Sequence, residues 1–297
     1  MRHATITALL LLGLCNARCS DDSDGPAGPG SGYDLALTSP FPETLSLNDR
    51  LRTVVLRYED RVNLDGRGTR CTATSLTLDV TSATAASPAA IDNANRCRLY
   101  TAAPELAWAR QRPLCVGAYA IASGNLQEAI TFCPQPGASA VRFEQTLSGC
   151  GGFASQRLAQ ISSVDEGVEG DAVTDLMGNV EFPSAVTITG PSALPIVTWP
   201  AEGDLTLTWE ASGATSALVR VEAATVTDPS ASPVIVCNPS RQGRVTVSQS
   251  LIAQANFRSL EARVRITSFR DREVTAAGSA WRLSGATSSN LTLQARR

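Results

Sequence analysis

The sequence predicts an all-β protein: two β-sandwich-like domains in tandem, residues 33–185 and 191–297, behind a signal peptide (1–17) and a flexible tether (18–32). Three observations carry this prediction. Apolar and polar residues alternate with period two in many short runs, as half-buried strands require. Those runs are rich in Val, Ile, Leu and Thr, and they are separated by Gly, Pro, Asn, Asp and Ser at turn spacing. No long stretch keeps the 3.6-residue period of an amphipathic helix.

The chain starts with Arg2 and an apolar run, Ile6 to Leu14, the length of a signal-peptide core and too short to span a bilayer, which takes about 20 apolar residues. Two processing routes fit the residues after this run. Cys15 and Cys19 are lipidation candidates, although Leu14 and Arg18 are large for the position before a lipidated cysteine; cleavage after Ala17 is the other route. SDDSDGPAGPGSG (20–32) is an acidic, Gly/Pro-rich tether rather than core material. Its DDSDG start resembles the opening of a calcium loop but lacks the later ligands. The protein is expected to be exported, to the periplasm, the outer-membrane surface or the medium.

About 280 residues remain after the signal, enough for two domains. In the first, the patterning predicts strands over 51–58, 74–80, 96–101, 114–122, 126–132 and 141–146. NLDGRG (63–68), ASGN (122–125) and SGCGG (148–152) supply turns, 82–95 reads as a surface loop, and 163–171 as a loop or weak strand. GPSALP (190–195) is the expected joint. In the second, strands are predicted over 204–210, 217–221, 233–237, 244–248, 260–267 and 290–294, with one helix over 249–254 and Ser248 as its N-cap. Leu260-Glu261-Ala262-Arg263-Val264-Arg265-Ile266-Thr267 shows the clearest alternation.

Composition excludes much chemistry. The only histidine, His3, lies in the signal, and all 25 basic residues are arginine. Without imidazole or amine side chains, the mature chain cannot build a Ser-His-Asp triad, a Cys-His pair, a Schiff base or a P-loop. Histidine-bearing zinc sites are excluded on the same ground. Carboxylate chemistry and oxygen-ligand cation binding survive. Nothing in the sequence calls for a cofactor.

Cys71, Cys97, Cys115, Cys133, Cys150 and Cys237 form an even set with no CxxC, and in an exported chain they read as disulfides. The short loops suggest Cys71–Cys97 and Cys115–Cys133. Cys150 and Cys237 are then left either to bridge the domains or to stay reduced and buried.

Three clusters are candidate sites. Asp165, Glu166, Glu169 and Asp171, with Asp175 nearby, could ligate calcium; the alternative is a solvated loop. Arg263 and Arg265 should project from one face of one strand, within a basic strip that includes Arg258, Arg270 and Arg272, and could bind an anion; the alternative is an ordinary solvated sheet face. No aromatic residue alternates with them to stack bases, so nucleic acid is not an expected partner. Trp199, Trp209 and Trp281 could form a sugar platform, but Trp209 is in phase with Leu205 and Leu207 and should point inward. Residues 18–190 carry 13 Arg and 20 acids, whereas residues 191–297 carry 11 Arg and 8 acids. This asymmetry favours docking between the halves or with a partner.

The succession TWP (198–200), LTLTW (205–209), ALVRVEA (217–223), VIVCN (234–238) and GRVTVSQSLI (243–252) resembles an immunoglobulin- or fibronectin III-like module of exported bacterial lipoproteins. The resemblance covers about a third of the chain and implies architecture and location rather than activity. It departs from antibody-type domains, because Cys237 has no second cysteine in its own module. The expected function is a non-enzymatic envelope or secreted structural/interaction protein. Its partner would be another envelope protein or a polysaccharide, and it would contact membrane only through a lipid anchor. The alternative is a carbohydrate-binding or carbohydrate-cleaving protein.

Overall fold

The computed structural model describes residues 50–63, 66–79, 88–101, 117–124, 126–132, 142–148, 157–163, 176–191, 196–199, 203–223, 232–239, 243–256, 261–276 and 278–295. They form seventeen strands and one helix, so the fold is all-β and sandwich-like. Cys15, Cys19, Cys115, Cys133, Cys150 and the acids Asp165, Glu166, Glu169, Asp171 and Asp175 lie outside the described residues.

Two strands organise the rest. β16 (Glu261–Ala276) and β17 (Ser279–Ala295) form one unbroken antiparallel hairpin, from Ala276↔Ser279 to Glu261↔Gln294. Sequence patterning marks only one end of each strand, because beyond Thr267 the polar residues Arg270, Asp271 and Arg272 mask the alternation. On one side of this hairpin lie β13 (Ser216–Ala223), β14 (Val234–Cys237), β4 (Cys97–Tyr100) and β3 (Ala90–Asp92). On the other side β17 is flanked in parallel by β1 (Arg50–Asn63) and then by β11 (Ile196–Trp199). β2 (Gly66–Asp79) and β7 (Arg142–Thr146) complete a ten-stranded sheet. The ranges expected for the two units, 33–185 and 191–297, therefore meet in one sheet.

Two smaller sheets pack along one face of it. The four-stranded sheet is β6-β5-β8-β9: Leu126–Phe132, Gly117–Ser123, Leu158–Ser163 and Met177–Glu181. The three-stranded sheet is β10-β12-β15: Thr187–Gly190, Leu205–Glu210 and Arg244–Val247. Each closes its own apolar core. One core joins Tyr119, Ile121, Ile130 and Ile161 to Val54, Leu56, Trp281 and Leu283. The other joins Leu205, Leu207, Trp209 and Val245 to Val219, Val264, Leu291 and Leu293. On β17 the core residues 281, 283, 291 and 293 all have the same parity, so one face serves both cores. Trp209 is buried as its phase predicts, and Trp281 is buried with it.

Between the cores the shared face becomes polar and narrow. Ser268 and Thr287 are buried there, and the segment from Phe182 to Val186 crosses over them on its way from one small sheet to the other. Thr287 Oγ1 donates to the Ser184 carbonyl at 2.9 Å, and Arg270 pairs with Glu181 at 2.5 Å. The crossing lies so close that a Cβ on Gly285 would overlap the Glu181 carbonyl.

Helix α1 (Gln249–Ala255) buries Leu251 and Ala255. Ser248 occupies the N-cap position as predicted, but its side chain makes no cap; Asp204 accepts from the Gln249 N–H at 2.9 Å instead. Asn256 ends the helix in the left-handed region (φ 44°).

The disulfide pattern differs from the one expected. Cys97 pairs with Cys237, 140 residues away, so Cys71–Cys97 does not form. The two cysteines are directly opposite in the β4–β14 ladder, with Cα atoms 4.0 Å apart. Loop length misled the expectation because the strand between β1 and β7, which holds Cys71, sits at the far side of the sheet from β4. Cys71 is also disulfide-bonded and fully buried.

Two measurements check this architecture. Gly285→Ala should cost about 2–3 kcal/mol of unfolding free energy through overpacking against backbone. Gly203→Ala, at φ 91° in open space, should cost about 1 kcal/mol from backbone strain alone. Equal effects in thermal melts would contradict the tight crossing. Replacing Cys97 and Cys237 together by Ala should remove about 4–5 kcal/mol, the loop-closure entropy of a crosslink this long, and urea unfolding of the oxidised proteins reads it directly.

Candidate functional site

The most unusual chemistry lies on the face of the ten-stranded sheet opposite the cores. Besides buried apolar residues such as Val55 and Phe269, its in-phase positions include Arg57 and Glu59 on β1, Arg220 and Glu222 on β13, Arg263, Arg265 and Thr267 on β16, and Ser288 and Asn290 on β17. Arg57, Glu59, Arg220, Glu222, Arg265, Thr267 and Ser288 are all buried. Alternation puts these polar residues here because each strand gives its other face to a core: Val219 and Val221 flank Arg220, and Val264 and Ile266 flank Arg265.

Arg220 and Arg265 are direct cross-strand partners. Like charges in this relation are unfavourable, and neighbouring acids offset them. Arg220 Nε donates to Glu222 Oε2 at 2.8 Å. Arg265 Nη2 lies 3.6 Å from Glu59 Oε1, which also accepts from Asn290 Nδ2 at 3.0 Å. Arg265 Nε donates to Asn290 Oδ1 at 3.3 Å, closing a three-residue loop across β16, β17 and β1. Next to it the hydroxyls of Thr267 and Ser288 are hydrogen-bonded at 2.9 Å. The arrangement is a charged layer in which side chains tie β1, β16 and β17 together while Arg220 and Glu222 pair within β13.

The predicted pair Arg263 and Arg265 does share this face, but with different surroundings: Arg263 is exposed, and Arg265 is 9% exposed and tied to Glu59 and Asn290. Arg270 and Arg272 fall on the opposite phase of β16, so the basic strip divides between two faces. Arg258 lies outside the described residues. Trp209 and Trp281 are core residues, which removes both from any surface sugar platform. Among the described residues no three His, Cys, Asp or Glu come together as metal ligands. The buried network was missed from sequence because Glu59, Arg220 and Asn290 lie far apart along the chain; Arg and Glu inside otherwise apolar ALVRVEA were the available signal.

A second polar cluster joins the β3–β4 hairpin to α1. Asp92 Oδ1 accepts from the Asn95 N–H at 3.1 Å, and Oδ2 accepts from Asn95 Nδ2 at 2.9 Å. Burial works to raise the Asp92 pKa, but the hydrogen bonds from Asn95, the Ser248 hydroxyl and the Ala94 N–H outweigh it and hold the carboxyl below its ordinary 3.8.

No family model matches this chain, and no curated protein matches it.

Two outcomes test these clusters. Glu59→Gln should destabilise the protein by about 3 kcal/mol, because a buried cation loses its anion. A double-mutant cycle with Arg265→Met should recover part of that loss, and additive effects would rule out the coupling. For Asp92 the folded pKa is depressed, so its contribution is complete above the unfolded value near 3.8 and is lost as pH falls through the lower folded value. Asp92→Asn should therefore lower stability at neutral pH and shrink the gap to wild type in strong acid, as read by urea midpoints across the acid range.

Proposed function

We propose that the chain is an exported, non-enzymatic interaction protein of the cell envelope or medium, a crosslinked β-scaffold whose sheet faces and loops bind a partner. The observation that carries this reading is the buried Cys97–Cys237 disulfide joining segments 140 residues apart, with Cys71 disulfide-bonded as well. Such bonds persist where the surroundings are oxidising. The signal-like start of the sequence supports the same compartment.

Side-chain chemistry supports a non-catalytic role. The mature sequence has neither histidine nor lysine. Of the buried carboxylates on the charged face, Glu59 and Glu222 are both engaged by arginine, which suits a structural role better than glycoside cleavage. The C-terminal likeness to immunoglobulin- or fibronectin III-like modules belongs to the same proposal; the C-terminal core borrows Cys97 and Leu99 from the N-terminal half.

Fractionation of the native cell should place the protein in the envelope or medium. Mass spectrometry should find a mature N-terminus at Arg18, or an acylated Cys15 or Cys19. Recovery from the cytosol with residues 1–17 intact and reduced cysteines would end this reading.

A further inference from the structure

The outer face of the four-stranded sheet is almost free of charge. Its outward positions are 118, 120 and 122 on β5, 127, 129 and 131 on β6, 158, 160 and 162 on β8, and 177, 179 and 181 on β9, all out of phase with the core residues. Only one of these residues is charged: Glu181, at the rim, where Arg270 pairs with it. Two of the three exposed large hydrophobics among the described residues, Leu158 and Met177, lie here, exposed by 42% and 62%.

The register orders this surface. Gln127, Ala122, Gln160 and Asn179 lie in one row across all four strands. No described group engages any of the three amides. Ala129, Ala120, Ser162 and Met177 form the next row. Alanines at the centre leave the sheet flat, and the amides of Gln127 and Gln160, two strand spacings apart, stand about 10 Å from each other.

We propose that this face binds a neutral polysaccharide chain. The inference rests on the reading of the chain as an interaction protein and names the partner class. Each amide both donates and accepts, as sugar hydroxyls require. The absence of charge gives an anionic polymer no attraction here. Size argues against a folded partner: four strands by three alternate residues cover about 20 by 20 Å. Doubled for both partners, that is about 800 Å², below the roughly 1,200 Å² of a stable protein interface. An extended glycan crossing the amide row needs no larger footprint. With no aromatic residue on the face, each contact is weak, about millimolar, and retention depends on a repeating polymer.

Affinity electrophoresis of the whole mature protein in gels containing dextran, galactomannan, alginate or heparin tests this. Retardation should occur in a neutral gel and persist at high salt. Ala120→Arg, which plants a charge in the centre, should weaken it about tenfold or more. Gln160→Ala, a surface truncation that leaves the core intact, should weaken it severalfold; melting curves verify that both variants fold. Retardation only by the anionic polymers, no retardation at all, or retardation unmoved in both variants overturns the proposal. So does sedimentation as a dimer that Ala120→Arg dissociates, because a second copy would then be the occupant. If the protein is found in the envelope and binds a protein partner while ignoring every neutral gel, the scaffold reading stands and the glycan face falls.

Discussion

The fold depends on the length of one hairpin. β16 and β17 hold 16 and 17 residues, against a usual strand of five or six. At about 3.4 Å per residue they run for some 55 Å, the length of two ordinary sandwiches placed end to end. Every other strand of the ten-stranded sheet is shorter, and β1 and β2 give residues to one core while β4, β13 and β14 give residues to the other. β1 flanks the half of β17 from Arg282 to Ser289, and β11 takes over from Thr292. The two cores thus share a covalent and hydrogen-bonded spine, although their apolar clusters are separate. What separates them is chemical: Ser268, Gly285 and Thr287 replace the aliphatic residues that would otherwise make the two clusters continuous.

This layout explains which parts of the fold were legible in sequence. Strands with one face on a core and one in solvent show strict alternation, and β12 and β15 were readable for that reason, while the start of β16 alternates because its second face carries the charged layer. β13 and β14 are buried on both faces, so the period is lost in both, and in β13 the arginine and glutamate are the informative residues. β8 to β10 escaped notice because they are short and carry small or polar residues on their outer side: LAQISS, MGNVE and TITG contain too few apolar positions for alternation to stand out, while β11 (IVTW) is only four residues long. Several decisive pairings join segments far apart in the chain. Sequence could not show that β4 lies beside β14, and so the assignment of Cys97 to Cys71 rested on loop length when sheet position decides.

The candidate charged layer was only half legible for a related reason. The alternation in 260–267 puts Arg263 and Arg265 on one face, and they do lie there. Burial, however, is a property of the sheet: a strand in the middle of ten has neighbours on both sides, and Arg265 is hemmed in by Arg220 and Asn290 in its own row. The guanidinium is retained because Glu59 and Asn290 satisfy it in place. Arg220 finds its acid two residues along its own strand, whereas Arg265 reaches Glu59 on β1 and Asn290 on β17, so this part of the layer works only when β1, β16 and β17 are in register. A slip of one residue would send these charges into the apolar cores. The network therefore selects one register among strands whose other faces, lined by Val, Ile and Leu, would pack almost equally well in several.

Sheet position also accounts for the placement of the disulfide. β4 is four residues long and sits near the edge of the sheet, where a short strand gains little from its own hydrogen bonds. It belongs to a segment that lies 140 residues away in sequence from its neighbour β14, so closing that contact costs chain entropy that four backbone pairs repay poorly. A covalent bond between directly opposed residues removes that cost from every later encounter and also fills the end of the C-terminal core with Cys97 and Cys237. The Asp92 cluster and α1 then pack on the hairpin so secured. The C-terminal core is completed by residues from the other half of the chain, and the Cys97–Cys237 bond holds them in place.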